Sequence, residues 1–212
     1  MEKIPERFTE IAVQLANYSR QLYSKGFADA NGGNLSVRLD NELIMTTPAM
    51  ESKGYLSQDD MAITDIDGIQ LFGLKKCSSE ITSHLAVYKA NKLANAIIHS
   101  HPPYVCSYAY TSENPDCKCS PEAIIWTGEI CDIPSLMPGS KELAERVEKD
   151  CKDKCVILLR NHGLLTWGRD LKEAWWRTEV FEHHCKISHL ISARGQIANV
   201  LDNDQISVLN KL

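Results

Sequence analysis

Asn95-Ala96-Ile97-Ile98-His99-Ser100-His101, followed at once by Pro102 and Pro103, is the stretch around which the chain can be organised. A short apolar run halted by two prolines reads as a buried strand. Residues two apart on a strand point to one face, so His99 and His101 project together from its end. Two convergent imidazoles are half of a metal site.

Outward from that strand, helices and strands alternate. Phe8, Ile11, Leu15, Tyr18 and Leu22 have helical spacing from about Glu6 to Ser24, with Gly26 placed for a left-handed cap. Asn31-Gly32-Gly33-Asn34 is a glycine turn feeding the alternating Leu35–Leu39, and Leu43–Thr46 is a further strand stopped before Pro48. Met61–Thr64 and Ile69–Phe72 flank Asp67-Gly68 and predict a hairpin. Ser78 and Ser79 are candidate N-caps for a helix with Ile81, Leu85 and Tyr88 on one side. Ser112–Pro121 is polar and proline-bounded, a loop. Ser140 caps a helix to about Asp150, and Cys155–Leu159 is a buried strand ending at Asn161-His162-Gly163. Asp170 with Glu173 opens a long helix ending near Gly195, with Leu171, Trp175, Thr178 and Cys185 as its buried stripe. Without a linker or an internal repeat, residues 1–212 are expected to form one α/β domain, its helices packed over a mixed or mainly antiparallel sheet.

The bulk properties narrow the function. At 212 residues, 43% hydrophobic and 24% charged, the composition is that of a soluble globular protein. A net charge of −5 leaves no basic excess for nucleic acid, though a local pocket for one small phosphorylated molecule stays open. No apolar run is long enough for a bilayer, and Met1–Arg7 lacks the apolar centre of a signal peptide, so a cytoplasmic location with eight reduced cysteines is expected. Cys117-Lys118-Cys119 and Cys151–Cys155 lack C-x-x-C spacing and read as small hydrophobes or loop thiols.

A catalytic zinc takes three protein ligands and keeps one position open. His162, also at a strand end, is the best-placed third ligand, with Gly163 expected to let the backbone bend away. One histidine alone is ordinarily a core or surface residue; the three-residue pattern points to metal. Glu80, just after two serines, is the candidate general base. Alone, such a glutamate merely complements a helix dipole; beside a metal it can remove a proton alpha to a polarised carbonyl. Gly33-Asn34, Ser78 and Ser79 offer donors that together would cradle a phosphate or carboxylate. His183, His184 and His189 read as surface or interface residues, His84 as packing or support behind Glu80, and Trp175 and Trp176 as core or subunit contacts.

Taken in order, Gly33-Asn34-Leu35-Ser36, Thr47-Pro48, Lys53–Leu56, Asp59-Asp60-Met61, Ser78-Ser79-Glu80, His99-Ser100-His101-Pro102, Gly139–Leu143 and Asn161-His162-Gly163 resemble the class II aldolase and adducin family, in particular its fuculose-phosphate aldolase branch. The resemblance implies a three-layer α/β fold around a largely antiparallel central sheet. It implies one divalent metal per subunit, most often zinc, on His99, His101 and His162. It places Glu80 as catalytic acid/base, and Gly33, Asn34, Ser36, Thr47, Ser78 and Ser79 around the substrate or its phosphate. It further implies a homotetramer that cleaves a small ketose or ketose 1-phosphate through an enediolate stabilised by the metal. A methylthioribulose-phosphate-type dehydratase or a 4-epimerase would use the same site; a noncatalytic adducin-like scaffold would not need the triad and Glu80. Two departures stand out. Phosphate-binding members carry Ser-Gly where this chain has Ala49-Met50, and no tyrosine follows Tyr110.

Overall fold

The computed structural model describes residues 2–40 and 42–211. Its frame is a sheet of eight strands: β1 (Asn34–Arg38), β2 (Leu43–Thr46), β3 (Ala62–Asp65), β4 (Gln70–Phe72), β5 (Ala96–Ser100), β6 (Ile130–Ile133), β7 (Val156–Leu159) and β8 (Gly163–Gly168). Their spatial order is β4-β3-β2-β1-β5-β8-β7-β6. Every neighbouring pair is antiparallel except β6 with β7. Among the described residues, seven α-helices accompany it: α1 (Thr9–Ser24), α2 (Ile81–Ala90), α3 (Pro103–Ala109), α4 (Pro121–Thr127), α5 (Lys141–Asp150), α6 (Leu171–Ala193) and α7 (Asn203–Leu209).

Strand alternation sorts the core into layers. Leu35, Met45, Ile63 and Ile98 pack toward α1 and α6, against Leu15, Leu22, Leu171 and Trp175. Ile44, Ile97, Ile157 and Leu165 pack on the opposite face against Ile81, Leu85, Leu143 and Val147 of α2 and α5. The expected fold, a single three-layer domain around a largely antiparallel sheet, is what forms. Among the described residues, no helix is long and apolar enough to cross a membrane.

Local signals explain most boundaries. Gly26 ends the first helical segment at φ +72°. Asp170 accepts from the Glu173 amide at 2.7 Å to open α6, and Ser140 accepts from the Leu143 amide at 3.1 Å to open α5. In the β3–β4 hairpin, Asp65 accepts from the amides of Asp67 and Ile69, and Gly68 takes φ +88°. Three expectations are corrected. Helix α2 begins one residue after Glu80, with neither serine side chain capping its first turn. The bend after β7 is made by Asn161, at φ +56°, while Gly163 is already the first residue of β8. His184 is buried, its Nε2 2.9 Å from the Asp116 carbonyl, whereas His183 and His189 are exposed. Strands β6 and β8 and helices α3, α4 and α7 lie in segments to which the sequence assigned no regular structure.

Candidate metal centre

The site grows from the pairing of β1 with β5. Asn34 is registered opposite His99, and Ser36 opposite Ile97. Directly opposed residues share a face, so the Asn34 amide and the His99 imidazole stand side by side toward α2. A step of two residues on a strand advances about 6.6 Å, and four residues on a helix about 6 Å. The same rungs therefore match along β1 and α2. Asn34 donates to Glu80 Oε2 at 2.9 Å, and Ser36 Oγ lies 2.7 Å from His84 Nδ1 and 2.9 Å from the Tyr88 hydroxyl.

His101 lies just past the end of β5 and His162 in the β7–β8 turn. Their rings close around His99, with centroids 4.8 Å (His99–His101), 4.6 Å (His99–His162) and 5.4 Å (His101–His162) apart. Glycines make this approach possible. A side chain at Gly163 would reach within 2.6 Å of the His101 ring, and one at Gly32 would strike both Asp29 and His101. Gly33 combines φ +70° with a close pass over the His99 carbonyl, for which only glycine is suited.

Two neighbours fix the ring orientations. His99 Nδ1 donates to the Leu164 carbonyl at 2.9 Å, and His101 Nδ1 to Asp29 Oδ1 at 2.9 Å. With protons on Nδ1, the Nε2 lone pairs of His99 and His101 face each other across 3.1 Å. Facing lone pairs repel unless a cation lies between them. Nitrogens bound to a tetrahedral ion at 2.0–2.1 Å stand about 3.3 Å apart, close to the spacing seen. The three candidate donor atoms all lie within 4.8 Å of one another. His99, His101 and His162 thus fit a divalent metal ion.

Glu80 completes the cluster. Oε1 is 3.2 Å from His162 Nε2, and Oε2 is 3.4 Å from His99 Nε2. Burial works against a charged carboxylate, but His99 and the hydrogen bond with His162 outweigh it and hold Glu80 well below the usual carboxylate range. Burial brings His99 down to about 3, so its ring is neutral, the form that binds metal. The bond to His101 likewise lowers the Asp29 carboxyl.

The residues expected around an anion divide differently. Ser36, fully buried, has its hydroxyl committed to His84 and Tyr88 beneath the centre. Thr47 Oγ1 accepts from the Leu35 amide at 3.1 Å, which ties β1 to the chain after β2. Ser78 Oγ accepts from the Glu80 amide at 3.3 Å and so steadies that residue. Of these three, Ser36 is engaged on both sides, while Thr47 and Ser78 each accept one main-chain amide and keep an O–H to donate. Ser79 is exposed, Gly33 shapes the turn, and the Asn34 amide grips Glu80. Asp29 and the Leu164 carbonyl were missed: Asp29 lies in an irregular segment, and a main-chain oxygen leaves no mark in a sequence. Tyr110 stands beside the centre, its hydroxyl 3.4 Å from the His162 carbonyl.

Comparison with known proteins agrees with this geometry. The family model described as Class II Aldolase and Adducin N-terminal domain matches residues 13–189. An L-fuculose phosphate aldolase of Methanococcus maripaludis is 34% identical over 175 residues, 82% of this chain and 93% of that one. A 3-oxo-tetronate 4-phosphate decarboxylase of Haemophilus influenzae is 33% identical over 204 residues, 94% of each. Among solved structures, YgbL of Escherichia coli superposes with a TM-score of 0.90 at 24% identity, covering 97% of this chain and all of its own; at that identity the likeness speaks for the fold. An L-fuculose 1-phosphate aldolase superposes with a TM-score of 0.87 at 26% identity, covering 99% of this chain and 97% of its own. With the family model spanning most of its length, this chain belongs to the class II aldolase and adducin N-terminal domain family.

Proposed function

We propose that this chain is a metal-dependent carbon–carbon lyase that cleaves a small ketose or ketose 1-phosphate in the retro-aldol direction, with Glu80 moving the proton. The observation that carries this reading is the place of Glu80: a half-buried carboxylate, anionic and fixed by Asn34, within 3.4 Å of two of the three histidines. When bound, a divalent ion supplies a Lewis acid that polarises a carbonyl oxygen and stabilises negative charge on it. Glu80 takes the hydroxyl proton whose loss breaks the carbon–carbon bond, then returns a proton to carbon. Leu164 and Asp29 keep the rings of His99 and His101 in one tautomer. We read the ion as zinc, which suits three imidazoles with one position open, and the assembly as a homotetramer.

A second reading has support in the relative from Haemophilus influenzae, which matches over 94% of both chains and carries the name of a decarboxylase. Decarboxylation of a 3-oxo acid also breaks a bond next to a carbonyl, and Glu80 would then only deliver the proton to carbon. The deciding experiment offers ketoses, ketose phosphates and 3-oxo sugar acids to zinc-loaded protein and identifies products by mass. Two carbonyl fragments support retro-aldol cleavage; carbon dioxide with one ketone supports the second reading. A product with its skeleton whole, as from a dehydratase or an epimerase, rejects both.

A further inference from the structure

Among the described residues, Lys53 is the one lysine or arginine that is buried, 1% exposed. It opens a 3₁₀ turn, Lys53–Tyr55, seated on α1. Gly54 packs so close to the Tyr23 ring that a Cβ there would come within 2.6 Å of it, the Tyr55 ring is 6.2 Å from the Tyr23 ring, and Arg20 donates to the Leu56 carbonyl. From this platform the side chain runs inward, and its ammonium donates to the carbonyls of Asn31 at 2.8 Å and Glu51 at 2.6 Å. Among the described residues, no carboxylate forms an ion pair with it. A buried ammonium held only by neutral carbonyls is costly, and structures keep such charges neutralised by a partner.

One of the two carbonyls belongs to a wall of the candidate centre, the other to the loop packed beside that wall. Asn31 opens the turn whose Gly32 packs against His101 and whose Asn34 holds Glu80. Glu51 follows Ala49-Met50, in a loop hung by the Ala49 amide on the Lys76 carbonyl at 2.9 Å. On the outside, turn and loop meet again where the Asn31 side-chain amide lies 3.3 Å from Met50 Sδ. Met50 sits at φ +59° and is 83% exposed, a backbone conformation a long side chain avoids, so the loop must be held from elsewhere. Lys53 is the tie beneath it. Burial brings its amine down to about 8, while Glu80 and Glu51 act to keep the proton, so it is charged at neutral pH.

We propose that Lys53 is a positioning residue for an anionic end of the substrate: its ammonium holds the 31–34 turn against the 49–51 loop and makes the wall between them positive, which favours a phosphate or carboxylate there over a neutral group. The inference rests on the triad being the reaction centre.

The test uses zinc-loaded full-length protein and two probes, inorganic phosphate and acetate, titrated calorimetrically into wild type, Lys53→Met, Lys53→Gln and Lys53→Arg. The probe that binds more tightly names the anion. The expected result is an anion affinity at least roughly tenfold weaker in Lys53→Met and Lys53→Gln, with zinc stoichiometry unchanged and most of the affinity kept in Lys53→Arg. Glutamine keeps N–H donors for the carbonyls, so it separates loss of charge from loss of fold. Wild-type affinity in Lys53→Gln, loss of zinc together with the anion, or no binding of either probe by the wild type would each overturn the proposal. Anion binding through Lys53 in a protein that cleaves no sugar would leave it standing and reject the lyase assignment.

Discussion

Asn34 and Glu80 are 46 residues apart in sequence, yet the amide nitrogen of the first lies 2.9 Å from Oε2 of the second. The bond links the first residue of β1 to the residue that precedes α2, and it lets the carboxylate span His99 and His162. The outcome expected for Glu80→Gln follows from this place. Glutamine matches the size and keeps an oxygen for Asn34, but it cannot accept a proton. Turnover should fall roughly 10²- to 10⁴-fold while zinc stoichiometry holds. Single-turnover assays with metal analysis check it, and full activity in the variant would remove Glu80 from its role.

Asn34→Ala tests the support instead of the base. A hydrogen bond to a charged group contributes about 1.5–3 kcal/mol, so turnover should drop roughly ten- to a hundredfold, less than in Glu80→Gln. An equal loss in the two variants would mean that Asn34 also touches the substrate.

Chelation should act on both activity and stability. With the ion removed, the Nε2 atoms of His99 and His101 face each other at 3.1 Å with nothing to screen their lone pairs. A ligand present at 1,000 times its Kd stabilises the folded state by about 4 kcal/mol, so Tm should fall on chelation and recover with zinc. Asp29→Ala frees the His101 ring and should weaken metal affinity roughly ten- to a hundredfold. Calorimetry with and without chelator measures both effects, and a Tm indifferent to chelation would argue against a bound ion.

How much of this centre was legible in the sequence depends on distance along the chain. The His-x-His spacing and the strand-end His162 could be read directly, because strand geometry fixes where such side chains point. Glu80 was legible as a residue but not in its setting, since the register of Asn34 against His99 is a long-range fact. Ser36 and Thr47 show the limit from the other side. A hydroxyl near a site serves substrate and scaffold equally well on paper, and only packing against His84 or the Leu35 amide decides. Strands β6 and β8 escaped for a related reason. Ile130–Ile133 is too short to display a period, and Gly163–Gly168 opens and closes on glycine, which reads as a bend.

Acid should destabilise the metal-free protein through a buried histidine, in addition to whatever its carboxylates contribute. Burial brings His84 down to about 4, from an ordinary value near 6.5. Between those values the unfolded chain binds a proton that the folded chain does not, so folded stability is lost as pH falls through that window. For His84 alone the loss is about 2–3 kcal/mol by about pH 4.5, at 1.36 kcal/mol per pKa unit. Urea unfolding at about pH 7 and about pH 4.5 measures it, and His84→Gln should flatten the difference. An unchanged pH dependence in that variant would place the acid sensitivity elsewhere, with buried His99 next in line.

Met50 marks where this chain departs from the Ser-Gly of phosphate-binding relatives. Its left-handed backbone, φ +59°, costs an L-residue about 1–2 kcal/mol, which glycine escapes. Against that, Met50→Gly gives up the contact with Asn31 and frees the unfolded chain. These effects nearly cancel, so stability should move by less than about 1 kcal/mol. The change in function should be larger and one-sided. Removing an exposed thioether from the rim opens the wall above Lys53 to a phosphate, and Ala49→Ser alongside it adds a hydroxyl donor. The double variant should lower KM for a ketose phosphate without raising kcat, because the change touches binding and leaves Glu80 and the triad alone. Steady-state kinetics on phosphorylated and unphosphorylated forms of one ketose checks this. An equal fall in KM for both forms would make Met50 a barrier of size alone, and a change in kcat would carry its influence into the centre itself.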